Sequence, residues 1–486
     1  MNLNHINVIA RYEVKLVKRS WLFRIFAILA LLFISAIMLG YQTGIVNRMD
    51  NLWPRIAVSS LMPFCNTYFY NIAQSVIVVF LAGSFLKRDK KLDTAEVIYV
   101  RPMSNADYIV GKTWGIVKVF ITLNIITLLF TAFLNILINK SPFDLFPYLF
   151  YLLTISVPSL LFVLGLSFTA MCILKNQAVT FIVMLGIIGT VFFYLTDTLY
   201  GVFDFFGVNI PAIFSDVTGH ADLRLFLLQR FSYLLAGIGL ISMTIALVKR
   251  LPHKPWKIAV VYTFSSLFLL AACLGGLLYI LHYNHQLDLR NQYIMTFDKY
   301  ADVPHVDLLV NDISVTPQGH RVAGKSTVKV ANNNAKPLDK IIFYLNPELT
   351  VTSVEMAGKN LPFRRDHQVI EVDQPIQQQE ELTLTINYEG KISENICYTD
   401  VLTEDYLDTK VPQVFWRFGK RYAWLSNTFT LLTPECIWYP VTIAPVNPGA
   451  PYNVRKNFTD YTLTVHYEGD KTVLSQGKSK IDGSVI

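Results

Sequence analysis

Long apolar stretches separated by short polar segments fill the first 285 residues of the chain. A helix needs about 20 predominantly apolar residues to cross a bilayer. The stretches that meet this requirement are Trp21 to Tyr41, Thr67 to Leu86, Thr113 to Ile138, Phe146 to Leu174, Ala178 to Leu199, Phe231 to Val248 and Ile258 to Leu281. This pattern predicts an α-helical membrane bundle, with six spans in residues 21–250 and a seventh in residues 251–285.

Two interruptions of the apolar pattern predict local irregularities. Pro158 lies inside the fourth span and predicts a kink or tilt there. Between the fifth and sixth spans, the apolar segment from Gly201 to Asp216 is broken by Gly207 and Pro211, which indicates a partly inserted hairpin on the outer side.

Residues 286–486 change to short alternating stretches separated by Gly, Asn and Pro. The predicted strands are Val306 to Val315, Ser326 to Ala331, Lys340 to Leu345, Thr350 to Met356, Gln368 to Val372 and Glu381 to Tyr388. Alternation with turn residues at this spacing is typical of an all-β sandwich or saddle. The fold class is therefore a helical bundle followed by an all-β domain.

The first 20 residues are polar overall but periodic. One helical face is apolar, with Leu3, Ile6, Ala10 and Val17, and another is polar, with Asn4, Arg11, Lys15 and Lys18. Such a face predicts an amphipathic helix lying in the membrane interface, in contact with lipid. The alternative is an ordinary basic flank of the first span.

Composition and charge support this division of the chain. Only 16% of the 486 residues are charged, against about 25% in soluble domains. The net charge of +7 divides into +11 before residue 286 and −4 after it, which excludes nucleic acid as the reason for the basic excess. With the N-terminus inside, fifteen Lys and Arg flank the spans on the inner side and five lie in the outer loops. This predicts a cytoplasmic N-terminus and an extracytoplasmic β domain.

The inner loop between the second and third spans carries more than an orientation signal. It contains acidic residues, a Thr and a Pro between its basic residues, and it leads into Gly111 and Lys112. We interpret it as a docking surface for a protein partner. Its candidate docking residues are Arg88, Asp89, Lys90, Asp93, Thr94, Glu96, Pro102, Gly111 and Lys112.

At these positions the sequence resembles the permease subunits of type-2 ABC exporters over residues 1 to about 250. The family motif has Glu where Asp89 stands, Arg where Lys90 stands and a turn-forming Gly where Asp93 stands. The resemblance implies a separate ATPase subunit bound at this loop, ATP and Mg on that subunit, and a homodimer or heterodimer of permeases. It also implies a multi-pass protein of the bacterial inner membrane whose C-terminal domain is periplasmic. No cofactor is expected on this chain itself.

A polar stripe follows one face of the third span. It consists of Asn124, Thr127, Thr131 and Asn135, at steps of three and four residues. Polar groups facing lipid are costly, so the stripe is expected to face the bundle. It either lines a translocation path or joins helices through hydrogen bonds.

The segment from Gly319 to Ser326 fits the P-loop pattern letter for letter, but the residues that follow it alternate as a strand does. A phosphate-binding loop requires a helix at this point. We therefore interpret the segment as a turn between two β-strands and expect no ATPase or other catalytic residue in this chain.

The β domain resembles the N-terminal domain of the aminopeptidase N family of zinc peptidases. The match is carried by Cys436 to Pro440, Tyr461 to Val465 and Leu474 to Gly477. That family's catalytic domain carries a His-Glu-x-x-His motif, which this sequence lacks, so neither a metal ligand nor peptidase activity is expected. Cys397 and Cys436 share this domain, where a disulfide is permitted but not assigned.

The leading hypothesis is a permease that couples ATP hydrolysis by a partner to export of a substrate. The first alternative is a membrane-anchored remnant or fragment of an aminopeptidase N-like peptidase without its catalytic domain. The second is a non-transporting anchor or sensor that uses the β domain to hold a partner. Seven spans favour the permease, because an anchor needs only one.

Overall fold

The computed structural model describes residues 1–43, 59–89, 103–138, 142–213, 215–220, 222–248, 255–401, 403, 421–444, 458–467, 471–478 and 480. Contacts divide the chain into two compact units, one from Met1 to Tyr283 and one from Asn284 onward. The first unit is helical and the second is rich in β-strands. The predicted order, helices followed by strands, is confirmed.

Nine α-helices form the helical part of the described chain. They are α1 (Leu3–Arg19), α2 (Trp21–Thr43), α3 (Leu61–Asp89), α4 (Asn105–Ile138), α5 (Leu145–Tyr151), α6 (Val157–Leu174), α7 (Gln177–Thr190), α8 (Leu223–Leu247) and α9 (Pro255–Tyr300). With α5 and α6 counted as one, seven helical segments of the described residues are long and apolar enough to cross a membrane. This agrees with the seven predicted spans.

Helix type changes at the predicted irregularity in the fourth span. A π-helical turn, Leu152–Ser156, joins α5 to α6, and Pro158 lies in the first turn of α6. A proline removes one backbone donor, and a wider turn before it accommodates the ring. A second π-helical turn, Val191–Leu195, follows α7.

Several helices extend beyond the predicted spans, among them α3, α4, α8 and α9. Helix α8 begins at Leu223 and not at Phe231, so Arg230, which the sequence interpretation assigned to an outer loop, lies inside a helix. Helix α9 continues to Tyr300, past the predicted end near Leu281. A search for continuous apolar residues ends each span at the first charged residue. It therefore misses helical turns that are stabilised by packing against other elements.

Close contact between α6 and α8 depends on glycine. A Cβ added at Gly237 would lie 2.7 Å from the backbone of Leu161, and one at Gly165 would lie 2.8 Å from the carbonyl oxygen of Gly237. Small residues of this kind let two helix backbones approach each other in apolar surroundings.

The second unit contains three β-sheets. Its strands are β1 (Asp307–Gln318), β2 (Arg321–Ala331), β3 (Ile341–Tyr344), β4 (Leu349–Met356), β5 (Lys359–Asn360), β6 (Phe363–Asp366), β7 (Val369–Val372), β8 (Glu381–Gly390), β9 (Ala423–Leu425), β10 (Thr430–Leu432) and β11 (Asp460–Val465). Their orders are β11-β1-β2-β8-β4-β5, β3-β7-β6 and β10-β9. The six strands predicted from alternation correspond to β1, β2, β3, β4, β7 and β8.

Strand β3 of the three-stranded sheet is buried on both faces. In β3, Ile341 and Phe343 belong to the core shared with the six-stranded sheet, whereas Ile342 and Tyr344 pack with residues from the end of α9. Successive side chains of a strand point to opposite faces, so the unbroken apolar run of β3 places side chains in both cores.

Candidate functional site

The predicted docking loop falls largely outside the described residues. Lys90, Asp93, Thr94, Glu96 and Pro102 lie outside them, and Arg88 and Asp89 form the end of α3. Gly111 and Lys112 lie in the second and third turns of α4, the helix that follows the loop. The described part of the candidate site is therefore the contact of α4 with α1.

Helix α1 packs along the first turns of α4 through two glycines. A Cβ added at Gly111 would lie 2.8 Å from the Cβ of Ile9, and one at Gly115 would lie 2.9 Å from the carbonyl oxygen of Ala10. Both distances are shorter than real Cβ contacts, so a larger residue at either position would separate the helices. The buried residues of α1 are Ile6, Ala10, Glu13 and Val17. The apolar face predicted for this helix thus includes its contact with α4.

A buried ion pair lies at the centre of this helix contact. The Nζ atom of Lys112 lies 3.7 Å from a carboxylate oxygen of Glu13, and both side chains are only about one-twentieth exposed. The ammonium group also lies 5.0 Å from the centre of the Tyr108 ring. Lys112, which the sequence assigns to the docking motif, therefore makes a contact within the chain.

The N-termini of both helices are joined through Asp107. Its carboxylate accepts a hydrogen bond of 2.8 Å from the backbone N–H of Asn2 and one of 3.1 Å from that of Ser104. Ser104 Oγ in turn accepts a 3.0 Å bond from the N–H of Asp107, which is the reciprocal arrangement of a capping box. The start of α1 is thus tied to the residues that immediately follow the charged loop.

The polar stripe of α4 is buried and bonded to neighbouring helices. The Asn124 amide donates to Ser156 Oγ at 2.6 Å, and Thr131 Oγ1 donates to the Asn66 side-chain oxygen at 3.2 Å. Thr127 Oγ1 donates within its own helix, and the Asn135 amide donates to the carbonyl of Pro142 at 3.3 Å. The bonds of Asn124 and Thr131 reach other helical segments, as expected if the stripe joins helices.

A second polar set on α3 was missed from the sequence. It consists of Asn66, Thr67, Asn71, Gln74 and Ser75, all essentially inaccessible. The Asn71 amide donates to Ser159 Oγ at 3.3 Å and to the carbonyl of Phe206 at 2.9 Å. The spacing of these residues at one, three and four positions on an otherwise apolar helix was the signal that could have revealed them.

The segment predicted as an inserted hairpin is buried and held by a charged centre. The Asp204 carboxylate accepts hydrogen bonds from the backbone N–H groups of Gly207, Val208 and Asn209, at 3.0, 2.6 and 2.7 Å. Arg230, on α8, donates to the carbonyl of Asp204 and, at 3.2 Å, to that of Phe205. Irregular backbone in apolar surroundings requires partners of this kind within the protein.

In the second unit, the P-loop-like segment is a hairpin. Gly319 has φ of +61° in the turn between β1 and β2, and residues 321–326 form the start of β2. The segment leads directly into a strand and not into a helix, because β2 continues to Ala331. Among the described residues, no group of three or more His, Cys, Asp or Glu side chains is placed to hold a metal ion.

Two charged pairs lie on the three-stranded sheet, and that of Lys299 joins the sheet to the end of α9. Lys299 lies 2.5 Å from a carboxylate oxygen of Asp366, and Lys340 lies 2.8 Å from one of Glu371. Tyr300 also donates to Glu371. The hydrogen bond from Lys340, together with that from Tyr300, lowers the pKa of Glu371, and the bond from Lys299 lowers the pKa of Asp366. Both carboxylates are thereby stabilised in the ionised form.

Comparisons with known proteins gave structural matches only. No protein-family model and no curated protein matches the chain. An M1 zinc metallopeptidase from Deinococcus radiodurans is similar at a TM-score of 0.27 and 15% identity, over 37% of each chain. A mutant of an M1 zinc metallopeptidase from the same organism, bound to a Tyr-Ser-Ala substrate, gives 0.25 and 15%. Yeast LTA4 hydrolase in complex with bestatin gives 0.22 and 11%.

These matches cover a minor part of both partners. The chain spans 38% of the length of the substrate-bound metallopeptidase and 25% of that of the yeast hydrolase. At TM-scores this low these matches carry no argument about activity.

Proposed function

We propose that the chain is the membrane-spanning permease subunit of an ABC exporter, which couples ATP hydrolysis by a separate ATPase subunit to export of a substrate. The supporting observation is the contact of α1 with α4, because α4 begins directly after the charged loop. In this proposal the N-terminus and the loop are cytoplasmic, and the second unit lies outside the cytoplasm of a bacterial inner membrane.

The buried pair gives the proposed coupling a physical basis. Separating Lys112 from Glu13 breaks an ion pair whose two side chains are both buried, which is unfavourable. Helix α1 and the start of α4 therefore move together when a partner displaces the loop between α3 and α4. ATP and Mg bind to the ATPase subunit. A second permease, identical or related, completes the assembly.

The polar stripe of α4 is hydrogen-bonded, so a translocation path along this face can open only if these bonds break. Its hydroxyl and amide donors bond to α3, to the π-helical turn before α6 and to residues next to α4. In the exporter, opening a path along this face exchanges these bonds for contacts with substrate or water. In this proposal the hydrogen bonds stabilise the closed arrangement of the helices.

The test is recovery of an ATPase with the full chain. The tagged chain is purified from native membranes with Arg88→Glu or Glu96→Arg, and with Lys359→Glu as a matched control on the exposed strand β5. We expect an ATPase subunit with the wild type and with the control, and its loss with either loop variant. If the loop variants retain the ATPase, the docking assignment is wrong. If the wild type recovers none, the permease proposal is wrong and an anchor or sensor role is favoured.

A further inference from the structure

Two cysteines of the second unit lie side by side in a buried cluster. Cys397 and Cys436 are both fully buried, and their sulfur atoms are 3.4 Å apart. They are separated by 39 positions along the chain, so their proximity is a product of the fold. Ala423 and the rings of Tyr398 and Tyr422 surround them.

The backbone at both cysteines is fixed by buried side chains. The Asn346 amide donates to the carbonyl of Cys436 at 2.7 Å and to that of Ser393 at 2.9 Å, so one side chain bridges the two segments. Arg290 donates to the carbonyl of Cys397 at 2.6 Å and to that of Tyr398 at 2.9 Å. The sulfurs are therefore held together by bonds that do not involve the thiols.

We propose that Cys397 and Cys436 form a disulfide that closes residues 398–435 into a loop. The inference rests on the proposed location of the second unit outside the cytoplasm, where disulfides persist. A disulfide requires a sulfur separation of about 2.05 Å, so the two sulfurs must approach each other further before the bond forms.

The reaction requires an oxidant, for which we name the exchangeable disulfide of a thiol–disulfide oxidoreductase. The thiolate of one cysteine attacks this disulfide, forming a mixed disulfide and releasing one thiolate of the oxidant. The second cysteine attacks its partner's sulfur in the mixed disulfide, which forms the Cys397–Cys436 bond and releases the other thiolate. The two protons lost by the cysteines end on the oxidant, which becomes a dithiol.

Burial decides when this exchange takes place. The hydrogen bond with Cys397 and the loss of solvent raise the pKa of the Cys436 thiol, so little reactive thiolate exists in the folded domain. The oxidant must therefore act before the domain has folded around the two cysteines. Once formed, the bond is shielded from soluble reductants.

The test counts thiols in the full chain. Cells are quenched with an alkylating agent, and the purified chain is denatured and alkylated with and without prior reduction. We expect three alkylated cysteines before reduction and five after it, with Cys397 and Cys436 in one linked peptide. In Cys397→Ser, Cys436 becomes alkylated without reduction. Five alkylated thiols in unreduced wild type, or protection of Cys436 in Cys397→Ser, would overturn the pairing.

A separate measurement tests the location. Lys359, exposed on β5, is replaced by Cys in a chain that also carries Cys397→Ser and Cys436→Ser, and intact cells are treated with a membrane-impermeant maleimide. Labelling without permeabilisation supports the outside location. Labelling only after permeabilisation contradicts that location and the permease orientation. Labelling of this variant from outside, together with free Cys397 and Cys436 in the wild type, would contradict the disulfide alone.

Discussion

The buried ion pair between Glu13 and Lys112 gives a prediction about stability. Removing one partner of a buried pair is strongly destabilising, whereas replacing both by apolar residues is often close to neutral. We expect Glu13→Gln to lower the free energy of unfolding by about 3 to 5 kcal/mol. We expect Glu13→Leu combined with Lys112→Met to restore most of it. Thermal unfolding of the detergent-solubilised chain measures both, and a double variant no better than the single one would contradict the argument.

Glu371 gives a prediction about pH. Its pKa is lowered in the folded chain by the hydrogen bonds from Lys340 and Tyr300. Its contribution to stability is therefore complete above the unfolded pKa of about 4.3 and is lost as the pH falls through the lower folded value. We expect Glu371→Gln to be less stable than wild type at neutral pH and equally stable in strong acid.

The control for this titration is the more exposed pair of Lys329 and Glu381, where loss of the carboxylate costs little. Unfolding midpoints of wild type, Glu371→Gln and Glu381→Gln are compared across the pH range. A stability difference between wild type and Glu371→Gln that persists unchanged into acid would show that the carboxylate's charge is not what stabilises this contact.

The sequence located several important residues but assigned some of them to other contacts. Lys112 was found through its motif and was expected to face a partner, yet it is paired with Glu13. Arg230 was counted as a loop charge, yet it donates to the carbonyls of the Asp204 segment. Such pairings depend on which helices become neighbours, and no local pattern contains that information.

At the scale of elements, alternation found six of the strands but missed β5, β6, β9, β10 and the start of β2, and hydropathy predicted several helix ends poorly. Strands β1 and β8 extend by only a few residues beyond their predicted ends. Helix α9, by contrast, continues beyond its apolar run because Leu289, Tyr293, Phe297 and Tyr300 pack against the sheet. Their steps of four, four and three residues form a helical stripe that a search for continuous apolar residues does not find.

The contact of α1 with α4 gives a prediction at this scale. Gly115→Val introduces atoms where a Cβ alone would lie 2.7 Å from the Cβ of Glu13, so the two helices must separate. We expect faster tryptic cleavage at Arg11, Lys15 and Lys18 of α1 in the bilayer-reconstituted chain. Gly186→Val is the matched control, because nothing lies within 4 Å of a Cβ at Gly186. Equal cleavage rates in the two variants would contradict the proposed packing.

At the scale of the whole molecule, the boundary between the units lies inside a helix and not in a linker. The second unit begins at Asn284, within α9, and α9 ends at Tyr300. Its last turns supply the buried Tyr293 and Tyr300 to a core with β3 and β7. The first strand, at Asp307, is therefore not where this unit starts.

This boundary predicts how fragments behave. A fragment of residues 284–486 retains Arg290 and Tyr293, and we expect it to be soluble and to unfold in one cooperative transition. A fragment of residues 301–486 loses both. The carbonyls of Asn395, Cys397, Tyr398 and Val401 then lack their donor, and the apolar face of β3 and β7 is uncovered.

Unsatisfied buried groups and exposed apolar surface both destabilise a domain, so we expect the shorter fragment to aggregate. Soluble yield and calorimetric unfolding of the two fragments, prepared in parallel, measure the difference. Within the longer fragment, Arg290→Gln removes the donor while keeping the helix. We expect its unfolding temperature to lie between those of the unsubstituted longer fragment and the shorter fragment. Equal solubility and cooperativity of the two fragments would show that the end of α9 adds nothing to the β unit and that its fold begins with the strands.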